Sequence, residues 1–411
     1  MCFGLVDVHS PCLLPRNGAE IMSTAMPGLS LTRVGIDGFR GLRALALEDF
    51  GLINILVGGN NSGKTSVLEA LSIICQPVNP YEWLAMVRRR DFGGLDETRL
   101  QSLRWCFTRD RLPLDADELV SAICQFECEG CFPLRRLGVQ YSEFLGIPSP
   151  DDLRRWRRFS RRPEDLDTEQ MRGAELIQMP TWRAEGPLPL QFRGRPTSYG
   201  GSQTLKVWEF DPVRVSGLSR GAKIDCETLT PYSYQTNRNQ VRSQSKTIFE
   251  DDSPGVLELL RDFDTDIEGI DLASFAGDRP AVYLKHRRLG IAPLSIFGDA
   301  MRRSVLLAAT LPRLRNGGIL LIDEVETGVH VSALGRVFEW LVASARRLGV
   351  QVFVTTHSLE ALDALISAPS ISPEEDVVVF HLTQLEGATQ CKRFAGDLLH
   401  RLRFERGLDV R

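Results

Sequence analysis

The eight residues Gly58-Gly59-Asn60-Asn61-Ser62-Gly63-Lys64-Thr65 follow the pattern G-x-x-x-x-G-K-T. In this pattern the glycines let the backbone turn tightly and approach oxyanions without Cβ clashes. The main-chain N–H groups from Asn60 to Ser66 then face phosphate oxygens at the positive end of a helix dipole. Lys64 is placed to bridge β- and γ-phosphates, and the Thr65 hydroxyl to ligate Mg²⁺. More than half the chain later, Asp323-Glu324 follows Ile319-Leu320-Leu321-Ile322. Asp323 has the chemistry of a metal carboxylate and Glu324 that of a residue polarising an attacking water. Glu326 is a second carboxylate nearby, divided between function and solvated charge. His357, in Thr355-Thr356-His357-Ser358, is a further candidate, able to reach a γ-phosphate from the end of a strand.

These groups need particular elements to position them. Leu52 to Val57 is an almost continuous apolar run, as expected of a buried parallel strand. Val67, Leu68, Leu71 and Ile74 then recur at helical spacing until Pro77. Ile319 to Ile322 reads as a second buried strand after the Gly317-Gly318 turn, and its C-terminal carboxylates point into the crevice where such sheets bind ligands. Leu334, Val337, Phe338, Leu341 and Val342 mark one face of a helix closed by Gly349, and Val352-Phe353-Val354 begins a third strand. Upstream, Pro293-Leu294-Ser295-Ile296-Phe297-Gly298 reads as a Ser/Gly turn opening a helix, with Ser295 of a type that caps helices well. His330 sits in the turn after the carboxylates. His9, His286, His381 and His400 have no comparable placement.

The order of these segments resembles ABC-type ATPases, and more closely the RecF- and SMC-related members. It is closest to the AAA-family ATPases of the overcoming-lysogenization-defect (OLD) type found in bacterial defence systems. Ile36-Asp37-Gly38-Phe39-Arg40-Gly41-Leu42 resembles their opening strand. Ile322 to Leu334 resembles their carboxylate motif and following helix, "VTTHS" their histidine switch and "PLSIFGDAMRR" their signature segment. The resemblance covers residues 29–80 and 255–411 and is poor between them. It implies an α/β fold of the ABC-type P-loop NTPase class, with a mixed β-sheet and a long inserted helical/β region. It also implies a cytoplasmic homodimer that binds ATP and Mg²⁺ in two composite sites. Ser295 and Gly298 of one subunit, with Arg302 a weaker candidate, would then contact the γ-phosphate held by the other. Two departures stand out: the signature is not L-S-G-G-Q, and Gly328 and His330 occupy the segment where transporters have S-A-L-D. The Q-loop glutamine is open between Gln76 and Gln101.

The expected organisation is a tail over 1–28, with Met22 or Met26 as alternative starts, and a first ATPase segment over 29–145. An inserted region follows over 146–280, then a second ATPase segment over 281–411. A net charge of −4 gives no global pull toward nucleic acid, so a DNA surface would have to be local. The arginines of Asp151–Asp167 surround Trp156 and Phe159, but the acids among them favour a solvated helix over a phosphate grip. A mobile loop is expected near Tyr232 to Lys246. Cys124, Cys128 and Cys131 lack a fourth zinc ligand and read as a hairpin around Glu129-Gly130, and the nine cysteines read as free thiols. No apolar run has the roughly 20 residues of a membrane span.

OLD-type proteins often carry a Toprim nuclease after the ATPase, and this chain ends too early for one. The expected function is therefore ATP hydrolysis in DNA processing, repair or antiphage defence, with a nuclease as a separate partner. A nucleotide sensor with slow hydrolysis is the alternative. A transporter subunit fits less well with the long insertion.

Overall fold

A computed structural model describes residues 29–90, 98–108, 118–152, 170–183, 192, 199–209, 221–236, 255–273, 281–367, 377–385, 387–407 and 409. The expected tail, most of the arginine-rich segment and most of the Tyr232–Lys246 loop lie outside these residues.

Two six-stranded sheets organise the chain. The first is antiparallel throughout, in the order β2-β1-β4-β5-β6-β7. Its strands are β1 (Arg33–Asp37), β2 (Leu45–Glu48), β4 (Ser121–Glu129), β5 (Leu134–Gly146), β6 (Met171–Trp182) and β7 (Gln203–Trp208). Alternation along β4 and β5 puts Cys124, Phe126, Leu137, Val139 and Tyr141 on the buried face. The other sheet has the order β15-β14-β3-β13-β12-β8. It comprises β3 (Ile53–Gly58), β8 (Cys226–Leu229), β12 (Ile319–Ile322), β13 (Gln351–Thr355), β14 (Val377–Leu385) and β15 (Ala388–Ala395). All its pairings are parallel except that of the edge strand β15. A third sheet joins β9 (Ile267–Ala273), β10 (Ala281–His286) and β11 (Gly290–Pro293). The region 146–280 thus supplies strands to all three sheets.

The parallel sheet is buried on both faces, which explains the unbroken apolar runs of β3 and β12. Leu56, Leu321, Phe353 and Phe380 face a core shared with the antiparallel sheet and α1 (Lys64–Cys75). Ile55, Leu320, Ile322 and Val354 face the opposite core with two further helices. Of these, α3 (Val331–Leu348) buries Leu334, Val337, Phe338, Leu341, Val342 and Ala345, the face expected from their spacing. It ends on Gly349 at φ 64°, and α4 (Leu359–Ile366) follows with Ser358 as its N-cap.

Buried amides tie the layers together. Asn54, fully buried in β3, bonds Gly51 through both ends of its amide, at 2.9 Å each. Gln351 accepts from Leu31 N and donates to the carbonyls of Leu31 and Gly51, joining β13 to the chain that enters β1. Such satisfied polar groups are compatible with a dry core.

The cysteine hairpin is present as expected. Gly130, at φ 138°, turns the chain between β4 and β5. Cys124 and Cys128 are buried while Cys131 is exposed, so the three do not converge on one point.

One expectation needs correction. Ser295 does not cap the helix that follows it. It lies in a 3₁₀ turn over Leu294–Ile296, and α2 (Asp299–Thr310) starts after Gly298, which provides no side-chain cap. Phe297 and Gly298 are both extended, and this breaks the turn from the helix.

Candidate functional site

β3 delivers the glycine-rich loop to the C-terminal edge of the parallel sheet. Gly58 has φ 143°, and a Cβ there would stand 2.2 Å from the Leu382 carbonyl oxygen on β14. Gly63 has φ 97°, and a Cβ would meet the Leu42 side chain at 2.8 Å. These two glycines are required by the fold, whereas a Cβ at Gly59 would meet nothing within 4 Å among the described residues. Gly58→Ala is accordingly expected to cost at least about 2 kcal/mol of stability through strain and overlap. Urea denaturation would measure it, with Gly59→Ala close to wild type as the control.

Asn60 and Asn61 are exposed at the loop tip, with Asn61 left-handed at φ 62°. Ser62 is buried, and Ser66 half-buried in the first turn of α1. The Lys64 ammonium is buried and donates to the carbonyls of Gly58 and Gly59, at 2.8 Å each. Burial pulls its pKa below the ordinary lysine value, against the opposing pull of Asp323, Glu324 and Glu326. The cation therefore sits in the curl of the loop, where phosphate oxygens are stronger acceptors than carbonyls.

The two distant motifs meet at Thr65 and Asp323. Thr65 Oγ1 lies 3.1 and 3.2 Å from the two Asp323 carboxylate oxygens. Thr355 on β13 donates to Asp323 Oδ1 at 2.6 Å. Two oxygens at adjacent positions around an octahedral Mg²⁺, with bonds of about 2.1 Å, stand about 3 Å apart. The spacing and the all-oxygen donor set fit that ion. A cavity of about 340 Å³ opens beside the pair, lined also by Glu324, Arg89, Arg90 and Tyr232.

Glu324 takes the left-handed φ of 49°, rare for a residue with a side chain. Its N–H donates to Thr355 Oγ1 at 2.8 Å, and its Oε2 accepts from the Thr327 hydroxyl at 3.0 Å. Glu326 Oε1 accepts the His357 main-chain N–H at 2.9 Å. His357 is exposed at the end of β13, so strand pairing brings it to the carboxylate segment. His330 is the N-cap of α3, accepting the Ser332 N–H through Nδ1. The glutamines have structural posts: Gln101 closes a capping box with Thr98, and Gln76 ends α1 and reaches the Ile224 carbonyl.

Ser295 and Gly298 are exposed. Arg302 instead pairs with Asp299 and lies over the Tyr234 ring, 5.0 Å from its centroid. The Tyr234 hydroxyl also donates to Asp299, at 2.9 Å.

Sequence reasoning missed three contributors. Thr355 was passed over as a strand end. Glu69 on α1 is buried and takes Arg40 and Arg90 as ion-pair partners, at 2.7 and 2.6 Å. Arg303 is 3% exposed and donates to the main-chain oxygens of Asp323, Glu324 and Thr327. Burial lowers its pKa from the ordinary arginine value, opposed by Glu326, Glu324 and Asp323. Only the apolar run that follows it, Val305 to Ala309, hinted at this.

A family model described as "AAA domain, putative AbiEii toxin, Type IV TA system" matches residues 133–363. A second, described only as a protein of unknown function, matches 29–94. An uncharacterized protein of Methanocaldococcus jannaschii is 41% identical over 68 residues, 16% of this chain and 60% of its own length. The DNA replication and repair protein RecF of Pseudomonas savastanoi pv. phaseolicola is 50% identical over 46 residues, 11% of this chain and 12% of its own. The chain thus spans less than two thirds of the length of either relative. Among solved structures, an Smc head bound to the C-winged helix domain of ScpA superposes with a TM-score of 0.47 at 10% identity, covering 92% of this chain and 99% of that one. The SMC head domain from Thermotoga maritima gives 0.40 at 11% identity, covering 89% and 99%.

Proposed function

Since the chain belongs to the AAA-domain family whose model spans residues 133–363, we propose that it binds ATP with Mg²⁺ and hydrolyses it as an ATP-gated dimer of the ABC type. The observation that carries this reading is the meeting of Thr65 with both oxygens of Asp323, at 3.1 and 3.2 Å. It supports the reading because the two oxygen donors beside the glycine-rich loop suit a hard metal ion. Mg²⁺ held there by Thr65 and Asp323 would neutralise β- and γ-phosphate charge.

In this reading the residues from Gly58 to Ser66 cradle the phosphates, and Lys64 transfers its hydrogen bonds from loop carbonyls to phosphate oxygens. Glu324 orients and polarises the attacking water, and His357 approaches the γ-phosphate from the end of β13. Ser295 and Gly298, exposed on their own subunit, complete the site of a second copy. The setting is DNA processing, repair or antiphage defence in the cytoplasm, with a separate effector such as a nuclease. Partial likeness to RecF, a DNA replication and repair protein, supports the DNA side of this reading. Among the described residues no helix is long and apolar enough to cross a membrane.

Subunit mixing tests the composite site. Lys64→Ala and Ser295→Arg are each expected to abolish hydrolysis alone. Mixed, they form heterodimers in which one site has an intact loop and an intact signature segment, and activity returns. A mixture as inactive as its components would overturn the shared site. Wild-type protein that closes on ATP without releasing phosphate would favour the nucleotide-sensor reading, for which only the exposed Ser295 surface is needed.

A further inference from the structure

We infer that Arg303 is a positioning residue that sets the geometry of Glu324 through its backbone and ties it to the helix after the signature segment. The inference rests on the ATPase reading for the role of Glu324, but the contacts stand independently of it. Arg303 belongs to α2, whose N-cap is Gly298. Its guanidinium reaches out of that helix to the turn after β12, donating to Thr327 O at 2.5 Å, Glu324 O at 2.8 Å and Asp323 O at 3.3 Å.

Three features make this more than packing. First, the turn is strained: Glu324 is left-handed, and its conformation has to be held by its surroundings. The turn's own bonds are Thr327 N to Glu324 O and Val329 N to Glu326 O, and Val325 N to Thr355 O ties it to β13, all at 3.0 Å. Arg303 adds a second donor to the Glu324 carbonyl and binds both ends of the turn. Second, a buried cation is a costly occupant of a helix face whose next turn, Leu306 and Leu307, is buried and apolar. Its hydrogen bonds among the described residues go to main-chain carbonyls, so its charge serves the turn rather than a paired carboxylate. Third, the planar five-donor fork suits several carbonyls at once, which a lysine ammonium on a flexible stem does not.

The consequence is mechanical. Gly298 is the N-cap of the helix that carries Arg303, little more than a turn before it. Tyr234 and Arg302 brace the start of that helix through Asp299. A displacement of the signature segment by a partner's nucleotide would therefore move the guanidinium, and with it the carbonyl of Glu324. Each subunit's water-polarising carboxylate would thus register the clasp made on the other site.

The test compares wild type, Arg303→Lys and Arg303→Ala by steady-state ATP hydrolysis and by amide hydrogen exchange. Both variants are expected to lose about 100-fold in kcat, the scale of a misplacement of about 1 Å, with KM nearly unchanged. Exchange should quicken at the amides of Val325, Thr327 and Val329 while β3 and β12 stay protected. Ethylguanidinium in the buffer should restore part of the Arg303→Ala activity. Wild-type kcat in Arg303→Lys would overturn the inference. So would faster exchange spread evenly over β3, β12 and α2, which would mark a role in stability alone. If wild type itself does not hydrolyse ATP, the ATPase reading fails, and the exchange pattern alone decides whether Arg303 holds the turn.

Discussion

Glu324→Gln is expected to lower kcat by about 10²- to 10⁴-fold, the usual contribution of a group that orients and deprotonates water. ATP affinity should stay equal or tighten. The amide keeps an oxygen for the Thr327 hydroxyl, now 3.0 Å from Oε2, and leaves the backbone bond to Thr355 untouched. It removes one negative charge from beside the γ-phosphate, so ground-state repulsion falls as catalysis is lost. With ATP and Mg²⁺ the variant should then accumulate as a dimer by light scattering, because the clasp forms and is not released. A variant that binds ATP and remains monomeric would exclude the composite site. Unchanged hydrolysis would shift the role to Glu326, whose Oε1 accepts the His357 N–H and whose Oε2 is buried without a hydrogen-bond partner among the described residues.

What could be read from the sequence follows from where the physics is local. The glycine loop, its strand and its helix depend on near neighbours, so Gly58 to Thr65 and the buried run before them were legible. The same holds for β12 and α3. The meeting of Thr65 with Asp323 needs a sheet in which β13 lies between β3 and β12; the resemblance put the two motifs in one site, but the strand order is seen only in the structure. The misplaced helix start shows the limit. Ser295 is a good capping type, but the backbone stays extended at Phe297 and Gly298, and no side-chain propensity encodes that break. The resemblance pointed to Arg302 rather than its neighbour Arg303, yet Arg302 pairs with Asp299 on its own helix and Arg303 is buried against the carboxylate turn. Likewise, the boundaries expected at 146 and 280 set the inserted region apart. Strand pairing runs across them, since β5 and β6 form one antiparallel ladder.

The second large effect is expected at Lys64. Its ammonium donates to two carbonyls of its own loop, yet burial weighs against its charge. Replacing it with alanine removes a desolvated cation and leaves Gly58 and Gly59 oxygens to find other donors. One of these residues is exposed and can take water. The two terms oppose each other, so the stability of Lys64→Ala without nucleotide should remain close to wild type. The loss appears only when ATP is added. Wild type at 100 times its Kd gains about 2.7 kcal/mol from ligand linkage. The variant should gain almost none at the same concentration, because the γ-phosphate then lacks its charge-assisted partner. Denaturation with and without ATP and Mg²⁺ separates the two contributions. A variant destabilised without nucleotide, but stabilised by ATP as much as wild type is, would make Lys64 a structural lysine and move the phosphate site off the loop.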